Sequence, residues 1–421
     1  MVLALAAISG FSARAAQRGD VNGDGTVNVA DVTSLINHIA GVNTLNATEC
    51  DLNGDGLINV ADVTALVNII ITPDADKALV GGDISLLPSH EAAGAKYFAH
   101  DGTAVPDVIA YLKGLGWNAM RVRLFVAPTN KNHDGVVQDL AYVKALGKRI
   151  KDAGLKFVLD FHYSDTWADP STQTVPSRWS GLTAAQLADS VGAYTRKSLQ
   201  ALQAAGAEPD LVQVGNEVSY GMLWPTGHCY PDGGAPSGGS WANFASYLKA
   251  GTNAVREVCP KAKVIVHVEL GNTMTKAVSF FTTAQSQGID YDVIGLSYYP
   301  FWHGPMATFS NLLGQLQQKF PAKQIMVMET DYPYAWAMND TKYDYSSRWA
   351  YSDAGQAAYL TDLMTTMKKY SQVQGLFWWW PEQNEYGNSG TSVTGSWWNG
   401  SMVDSRTGRF GTAAKVMGQG L

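Results

Sequence analysis

Two glutamates in this chain stand where an apolar run ends. Glu217 closes the run in LVQVGNEVSYG, and Glu329 closes the run in IMVMETDYPY. A carboxylate at the end of a buried run needs a reason, because taking a charge out of water is unfavourable unless it is paired or used. Glycoside hydrolysis supplies one. It requires a carboxylic acid to protonate the leaving oxygen and a second carboxylate to attack the anomeric carbon. The two groups must then differ in proton affinity. Glu217, beside Asn216, is expected to be the raised, protonated member, and Glu329 the ionised one, helped by donors such as Arg123 and Tyr298. A separation of ~5–5.5 Å would mean retention of configuration, and ~6.5–9.5 Å inversion.

A second constellation lies near the N-terminus. DVNGDGTVNVADVTSLINHIAG begins at Asp20 and DLNGDGLINVADVTALVNII begins at Asp51, a repeat of 31 residues. In the first copy Asp20, Asn22 and Asp24 offer side-chain oxygens, Gly25 permits the sharp turn, Thr26 offers its carbonyl and Asp31 closes the loop. Asp51, Asn53, Asp55, Gly56, Leu57 and Asp62 repeat the arrangement. Oxygen-only donors at this spacing suit Ca²⁺ better than Mg²⁺, which keeps its waters, so two structural calcium ions are expected. Apolar residues at helical spacing follow each loop: Val32, Leu35, Ile36 and Ile39, then Val63, Leu66, Val67 and Ile70. Each half is thus a loop followed by a helix, without the preceding helix or the closing Glu of the usual EF-hand. That departure resembles the dockerin type I repeat over about residues 18–72. The resemblance implies a partner, a cohesin module on a scaffold or cell surface. The alternative is a small calcium-stapled domain with no partner, since below ~70 residues a metal often substitutes for a core. Cys50, just before the second loop, reads as an apolar filler rather than a ligand.

Bringing Glu217 and Glu329 together falls to the stretch from Leu79 onward, where short β-branched runs alternate with helical segments. Eight strands are predicted: Leu79–Ile84, Ala119–Leu124, Lys156–Phe161, Leu211–Val214, Val264–Val268, Val293–Ser297, Ile325–Met328 and Gly375–Trp379. In an eight-stranded barrel the carboxyl ends converge on one mouth. Here those ends carry Arg123, His162, Asn216-Glu217, Tyr298-Tyr299, Glu329 and Trp380. An open doubly wound sheet would use fewer strands, and no GxGxxG follows the first one. The expected fold class is α/β, a (β/α)₈ TIM barrel over 79–421. A small all-α calcium-loop domain over 18–72 and a linker over 73–78 precede it.

Residues 1–17, MVLALAAISGFSARAAQ, hold an apolar run too short to span a bilayer and then Ala13-Arg14-Ala15, which reads as the end of a secretory signal. A secreted monomer without a transmembrane segment is expected. The formal net charge of -7, with no Lys/Arg cluster, argues against nucleic-acid binding. Three cysteines make no disulfide framework, and a single Cys229–Cys259 bridge stays open. No HExxH, GxSxG or GKS/T motif occurs, so the expected hydrolysis uses no catalytic cofactor.

The stretches GGDISLLPSHEAAGAKYF, MRVRLFVAP, DFHYSDTWADP, QVGNE, GLSYYPFWHG and METDYPY follow in order across about residues 79–415. With Asn-Glu after strand four, Glu after strand seven, Arg ending strand two, His after strand three and Trp after strand eight, they resemble clan A glycoside hydrolases. Within that clan they resemble family 53, the endo-β-1,4-galactanases. The resemblance implies Glu217 as proton donor and Glu329 as nucleophile in a retaining endo-hydrolysis of β-1,4-galactan, the plant cell-wall polymer of arabinogalactan type I. It also implies Arg123, His162, Asn216 and Tyr298 around the sugar at the cleavage point. Asp165, Trp167, Trp302, His303 and Trp380 would line neighbouring subsites. The loop TDYPYAWAMNDTKYDYSSRW lacks the acidic calcium-binding pattern of many bacterial members, which leaves a barrel calcium open. A clan A mannanase, xylanase or endoglucanase would use the same two glutamates, and a non-catalytic carbohydrate-binding barrel would keep the fold without turnover. Of the other polar residues, His267 reads as a satisfied buried histidine, Glu269 as a hydrogen-bonding support, and Asp331 and Glu382 as groups behind the site.

Overall fold

The computed structural model describes residues 19–52, 57–71, 77–129, 135–390, 392–394 and 397–421. The signal-like segment, linker residues 73–76 and two expected calcium ligands, Asn53 and Asp55, lie outside the described residues. The chain divides into two compact units between Lys77 and Ala78.

In the first unit, helices run over Val29–Ile39 and Val60–Ile71, with a single helical turn at Ala47–Cys50. Both long helices begin in the same way. Asn28 Oδ1 accepts from Ala30 N at 2.7 Å while Asp31 accepts from Asn28 N at 2.9 Å, and Asn59 and Asp62 repeat the pair at 2.7 and 2.9 Å. Such caps satisfy N–H groups that a helix start leaves unpaired, and removing one costs about 1 kcal/mol. Leu35 and Leu66, one per repeat, are fully buried against Val21, Cys50 and Leu52. Ile36, Ile39 and Val67, expected in the same stripe, are instead 49%, 37% and 37% exposed. A unit this small has too little interior to cover a wide apolar stripe.

From Leu79, eight parallel strands close into a barrel in chain order: β1 (Leu79–Asp83), β2 (Ala119–Leu124), β3 (Lys156–Phe161), β4 (Leu211–Val214), β5 (Lys263–Val268), β6 (Val293–Ser297), β7 (Gln324–Thr330) and β8 (Val373–Trp379). β8 pairs back onto β1, Leu79 opposite Gly375. The strands read as apolar runs because both faces are buried, one by helices and one by the barrel interior. The helix Ala184–Ala204 shows how the outer layer forms. It opens with a Thr183/Gln186 capping box and buries Leu187, Val191, Leu199 and Leu202 at helical spacing. Two-residue strands at 97–98, 104–105, 403–404 and 409–410 form a small separate sheet, too short for any sequence period to reveal. Cys50, Cys229 and Cys259 are all free and buried, so the open bridge is not made.

Alternation along the strands decides what fills the barrel. Leu79, Ala119, Val158, Leu211, Ile265, Val293, Met326, Met328 and Phe377 form an apolar plug. Two residues further on, Arg121, Asp160, Gln213 and His267 lie on the same face of their strands, all fully buried, and the interior turns polar. β7 breaks the alternation. Its register shifts against both neighbours, with Leu296 opposite Val327 but Ser297 opposite Glu329, and Leu376 opposite Val327 but Trp378 opposite Thr330. This bulge passes the inward position from Met328 to Glu329. Thr330 turns away, its hydroxyl 2.6 Å from that of Tyr359.

Candidate active site

Glu329 enters the barrel mouth beside a cation. Arg121 Nη2 lies 3.0 Å from its Oε1, and the Tyr299 hydroxyl donates to Oε2 at 3.0 Å. Arg121 also reaches Asp83 Oδ2 at 3.1 Å, Asp160 Oδ2 at 2.8 Å and Asn216 Oδ1 at 2.9 Å. Burial pushes the Glu329 carboxyl up and Arg121 opposes it, leaving it raised to about 7. Burial would likewise raise Asp160, but Arg121 and His162 overcome it and hold that carboxyl below its usual range.

Glu217 follows β4 with φ at 44°, a left-handed backbone that non-glycine residues seldom adopt and that clusters at functional sites. Burial, then the charge of Glu329, pushes its carboxyl well above the ordinary range. Ser297 Oγ donates to Oε1 at 2.6 Å and opposes the rise. With Arg121 favouring charge on Glu329, the pair's proton resides on Glu217. Behind Ser297 stands His267, whose Nε2 lies 2.9 Å from Ser297 Oγ. Its Nδ1 lies 3.1 Å from the Gln213 amide nitrogen, 3.4 Å from the Glu217 N–H and 3.1 Å from Asn216 Oδ1. His267 is therefore a satisfied buried histidine whose bonds end on Glu217.

The two glutamates line one pocket of about 660 Å³ together with Trp167, Asn216, Trp302, His303 and Trp380 from the sequence reading. Trp379 and Trp380 stack at 5.0 Å, and Trp167 leans on both at 6.0 and 5.8 Å. Trp302 and Trp397 meet edge to face at 5.0 Å. Asn216 is fixed by Arg121 and by its own Nδ2, which donates to Ala168 O at 2.8 Å. Burial holds His303 down at about 4, and its Nδ1 accepts from Tyr299 N at 2.8 Å.

Four expected residues stand behind the pocket wall. Arg123 does not reach Glu329. Its Nη1 donates to Asp83 Oδ1 at 2.6 Å, and its guanidinium lies 4.8 Å from the Trp167 ring centroid and 5.0 Å from that of Trp379. Arg121, one inward step deeper on β2, makes the contact instead. Tyr298 points outward, stacking on Phe309 at 4.2 Å and donating to Gly304 O, and Tyr299 takes its expected place. His162 is buried, with Nε2 3.1 Å from Asp160 Oδ2 and Nδ1 accepting from Ala168 N at 3.2 Å. It anchors the loop that carries Trp167 to the mouth. Asp165 Oδ2 accepts from Ser177 N at 2.8 Å and shapes that loop's return.

Sequence reading missed Arg121, Tyr299, Trp379 and Trp397, and gave Glu269 only a supporting role. Strand parity was the available signal for Tyr299, which shares the inward face of Ser297, whereas Arg121 and Arg123 share one face of β2 and differ only in depth. Glu269 lines the pocket, bonded to Ser219 Oγ at 3.2 Å and pushed by burial to about 7. Glu382 and Asp331 do sit behind the site. Glu382 accepts from Leu86 N at 3.0 Å and is raised by burial to about 8, while burial and Glu329 raise Asp331.

In the N-terminal loop the carboxylates accept from the loop's own backbone. Asp20 Oδ1 accepts from Gly23 N at 2.9 Å and Asp24 N at 3.1 Å, its Oδ2 accepts from Gly25 N at 2.9 Å, and Asp31 Oδ1 accepts from Asn22 N at 3.1 Å. Among the described residues no three His, Cys, Asp or Glu side chains converge as a finished cage. Asp24 instead bonds the amide and hydroxyl of Thr26 at 2.8 and 2.6 Å. The donor set of Asp20, Asn22, Asp24, Asp31 and the Thr26 carbonyl remains hard, oxygen-only and acidic, which fits calcium. In the second repeat Asp62 is buried, its Oδ1 accepting from Leu52 N at 2.9 Å, and Leu57 is 65% exposed.

A closed parallel barrel that presents two carboxyls, one of them buried beside an arginine, in a tryptophan-walled cleft at its carboxyl mouth has the architecture of a glycoside hydrolase. The glycosyl hydrolase family 53 profile matches residues 79–417, and the dockerin type I domain profile matches residues 18–71. The chain belongs to glycosyl hydrolase family 53, with a dockerin type I region at its N-terminus. The probable arabinogalactan endo-β-1,4-galactanase A of Neosartorya fischeri is 33% identical over 358 residues, 82% of this chain and 94% of that one. The arabinogalactan endo-β-1,4-galactanase of Thermothelomyces thermophilus is 33% identical over 323 residues, 74% of this chain and 92% of that one. The GH53 catalytic domain of Ignisphaera aggregans superimposes with a TM-score of 0.71 at 30% identity, covering 81% of this chain and 95% of that chain.

Proposed function

We propose that the barrel is an endo-β-1,4-galactanase acting by double displacement on plant cell-wall galactan, with Glu217 as acid and base and Glu329 as nucleophile. The observation that carries this reading is two carboxyls facing one pocket in unlike surroundings, with the Arg121 guanidinium 3.0 Å from Glu329 and the neutral Ser297 hydroxyl 2.6 Å from Glu217. The names of the family relatives supply the galactan. In the first step Glu217 gives its proton to the glycosidic oxygen as Glu329 attacks the anomeric carbon, forming a glycosyl-enzyme ester. In the second step Glu217, now ionised, takes a proton from water as that water attacks the same carbon, and the sugar leaves with its original configuration. Tyr299 and Arg121 hold Glu329 in line. The tryptophan wall offers flat faces to the C–H sides of the sugar rings.

In this reading the N-terminal unit, residues 18–72, binds two calcium ions and docks a cohesin module outside the cell. Residues 73–78 link it to the barrel. Solvent-facing apolar residues support the docking role: Val29 and Val60, 31 residues apart, are 68% and 70% exposed. Among the described residues no helix is long and apolar enough to cross a membrane.

Reducing-sugar release from potato galactan, mannan, xylan and carboxymethylcellulose tests the assignment. Galactan is the expected substrate. Activity confined to mannan or xylan would overturn the substrate and leave the mechanism standing. Glu329→Gln is expected to abolish hydrolysis while pull-down by insoluble galactan persists, and retained turnover in that variant would refute the nucleophile.

A further inference from the structure

A second cavity, of about 370 Å³, is lined by Tyr220, Tyr230, Pro231, Asp232, Lys276 and Ser279 among others. We infer that this cavity binds the polysaccharide on its leaving-group side, taking β-linked galactosyl units beyond the bond being cut. The inference rests on the galactan-hydrolase reading above.

Glu269 joins the two spaces. It lines the catalytic pocket, and its Oε2 accepts from the hydroxyl of Ser219, the residue before Tyr220, at 3.2 Å. Lys276 on the cavity side is near enough to favour the ionised form of Glu269, and its Nζ stands 6.0 Å from the Tyr220 ring centroid. The junction lies on Glu217's flank. Ser219, which bonds Glu269, follows Glu217 by two residues, and the Glu217 N–H lies 3.4 Å from Nδ1 of His267, two residues before Glu269. The acid delivers its proton to the leaving oxygen, so a binding surface continuing past the acid receives the departing chain. The tryptophan wall is left for the sugars that stay on the enzyme.

The lining suits a neutral polyol. Two tyrosine rings offer faces for C–H contact, while Asp232, Lys276 and Ser279 offer hydrogen-bonding groups with one negative and one positive charge between them. The backbone that carries the two rings is held in advance. Tyr230 N donates to Gly234 O at 2.7 Å, and its carbonyl accepts from Trp241 Nε1 at 2.6 Å. The Tyr220 carbonyl accepts from Trp224 Nε1 at 2.9 Å and from Cys229 N at 3.1 Å. A surface ordered before the ligand arrives loses less entropy on binding.

The test compares the full-length chain with Tyr230→Ala and with Tyr230→Ala plus Lys276→Ala on two substrates. One is polymeric β-1,4-galactan, and the other is a p-nitrophenyl β-1,4-galactooligosaccharide, whose leaving group is a single aryl ring too short to reach the cavity. The expected result is a fall in kcat/KM on galactan of about tenfold relative to kcat/KM on the aryl substrate, carried mainly by KM, as expected of a lost aromatic contact. An unaltered galactan-to-aryl ratio overturns the cavity assignment, whether both activities persist or both fall together. A wild-type chain inert on galactan overturns the substrate reading itself, and this inference with it.

Discussion

The Ser297 hydroxyl donates to Glu217 at 2.6 Å, favouring the ionised form of a group that must be protonated to serve as an acid. Removing it in Ser297→Ala takes a donor from the carboxylate, so the Glu217 pKa rises and the alkaline limb of kcat/KM moves to higher pH. Glu269→Gln works in the opposite sense. It deletes a negative charge that raises Glu217, so the limb moves to lower pH. Paired pH profiles on galactan check both signs, and shifts in the same direction would contradict the assignment of Glu217 as the acid. At this scale the two glutamates were legible because a charge ending an apolar run is conspicuous. Their partners were legible only to within a step. Arg123 and Tyr298 were named where Arg121 and Tyr299 make the contacts, since deciding between neighbours requires knowing which residues face inward and how deep each sits.

Strands declare themselves in sequence when both faces are buried, and all eight barrel strands were predicted to within two residues at either end. The β7 bulge was not legible. Parity counted from Met326 and Met328 would turn Glu329 toward the helices, and only the register shifts against β6 and β8 bring it inside. The small sheet of two-residue strands at 97–98, 104–105, 403–404 and 409–410 was invisible because two residues establish no period. Close packing of β1 against β2 makes a separate claim. A Cβ on Gly81 would stand 2.0 Å from the Ala119 carbonyl oxygen, so Gly81→Ala must push the two strands apart. The expected cost is about 2–3 kcal/mol, read as a lower urea midpoint for the barrel transition. An unchanged midpoint would show that β1 has slack that this register does not suggest.

The whole chain is two units with different sources of stability. The barrel has an extensive apolar core, whereas the N-terminal unit rests on a handful of buried residues around Leu35 and Leu66 and on acidic loops that fit calcium. Chelation is therefore expected to remove helical circular dichroism from the N-terminal unit and leave activity on galactan intact. Calorimetry should find two calcium sites that vanish together in Asp20→Ala plus Asp51→Ala. Activity lost on chelation would assign calcium to the barrel instead. The repeated acidic loop and the apolar spacing after it made the N-terminal unit legible, while the apolar residues it leaves in solvent became evident only in the fold. Everything proposed for the barrel converges on Glu329 attacking carbon while Glu217 supplies the proton. The direct measurement is proton NMR of a galactan digest in its first minutes, before mutarotation. The reducing ends should appear first as the β anomer, and α-anomer ends at the outset would contradict double displacement by this pair.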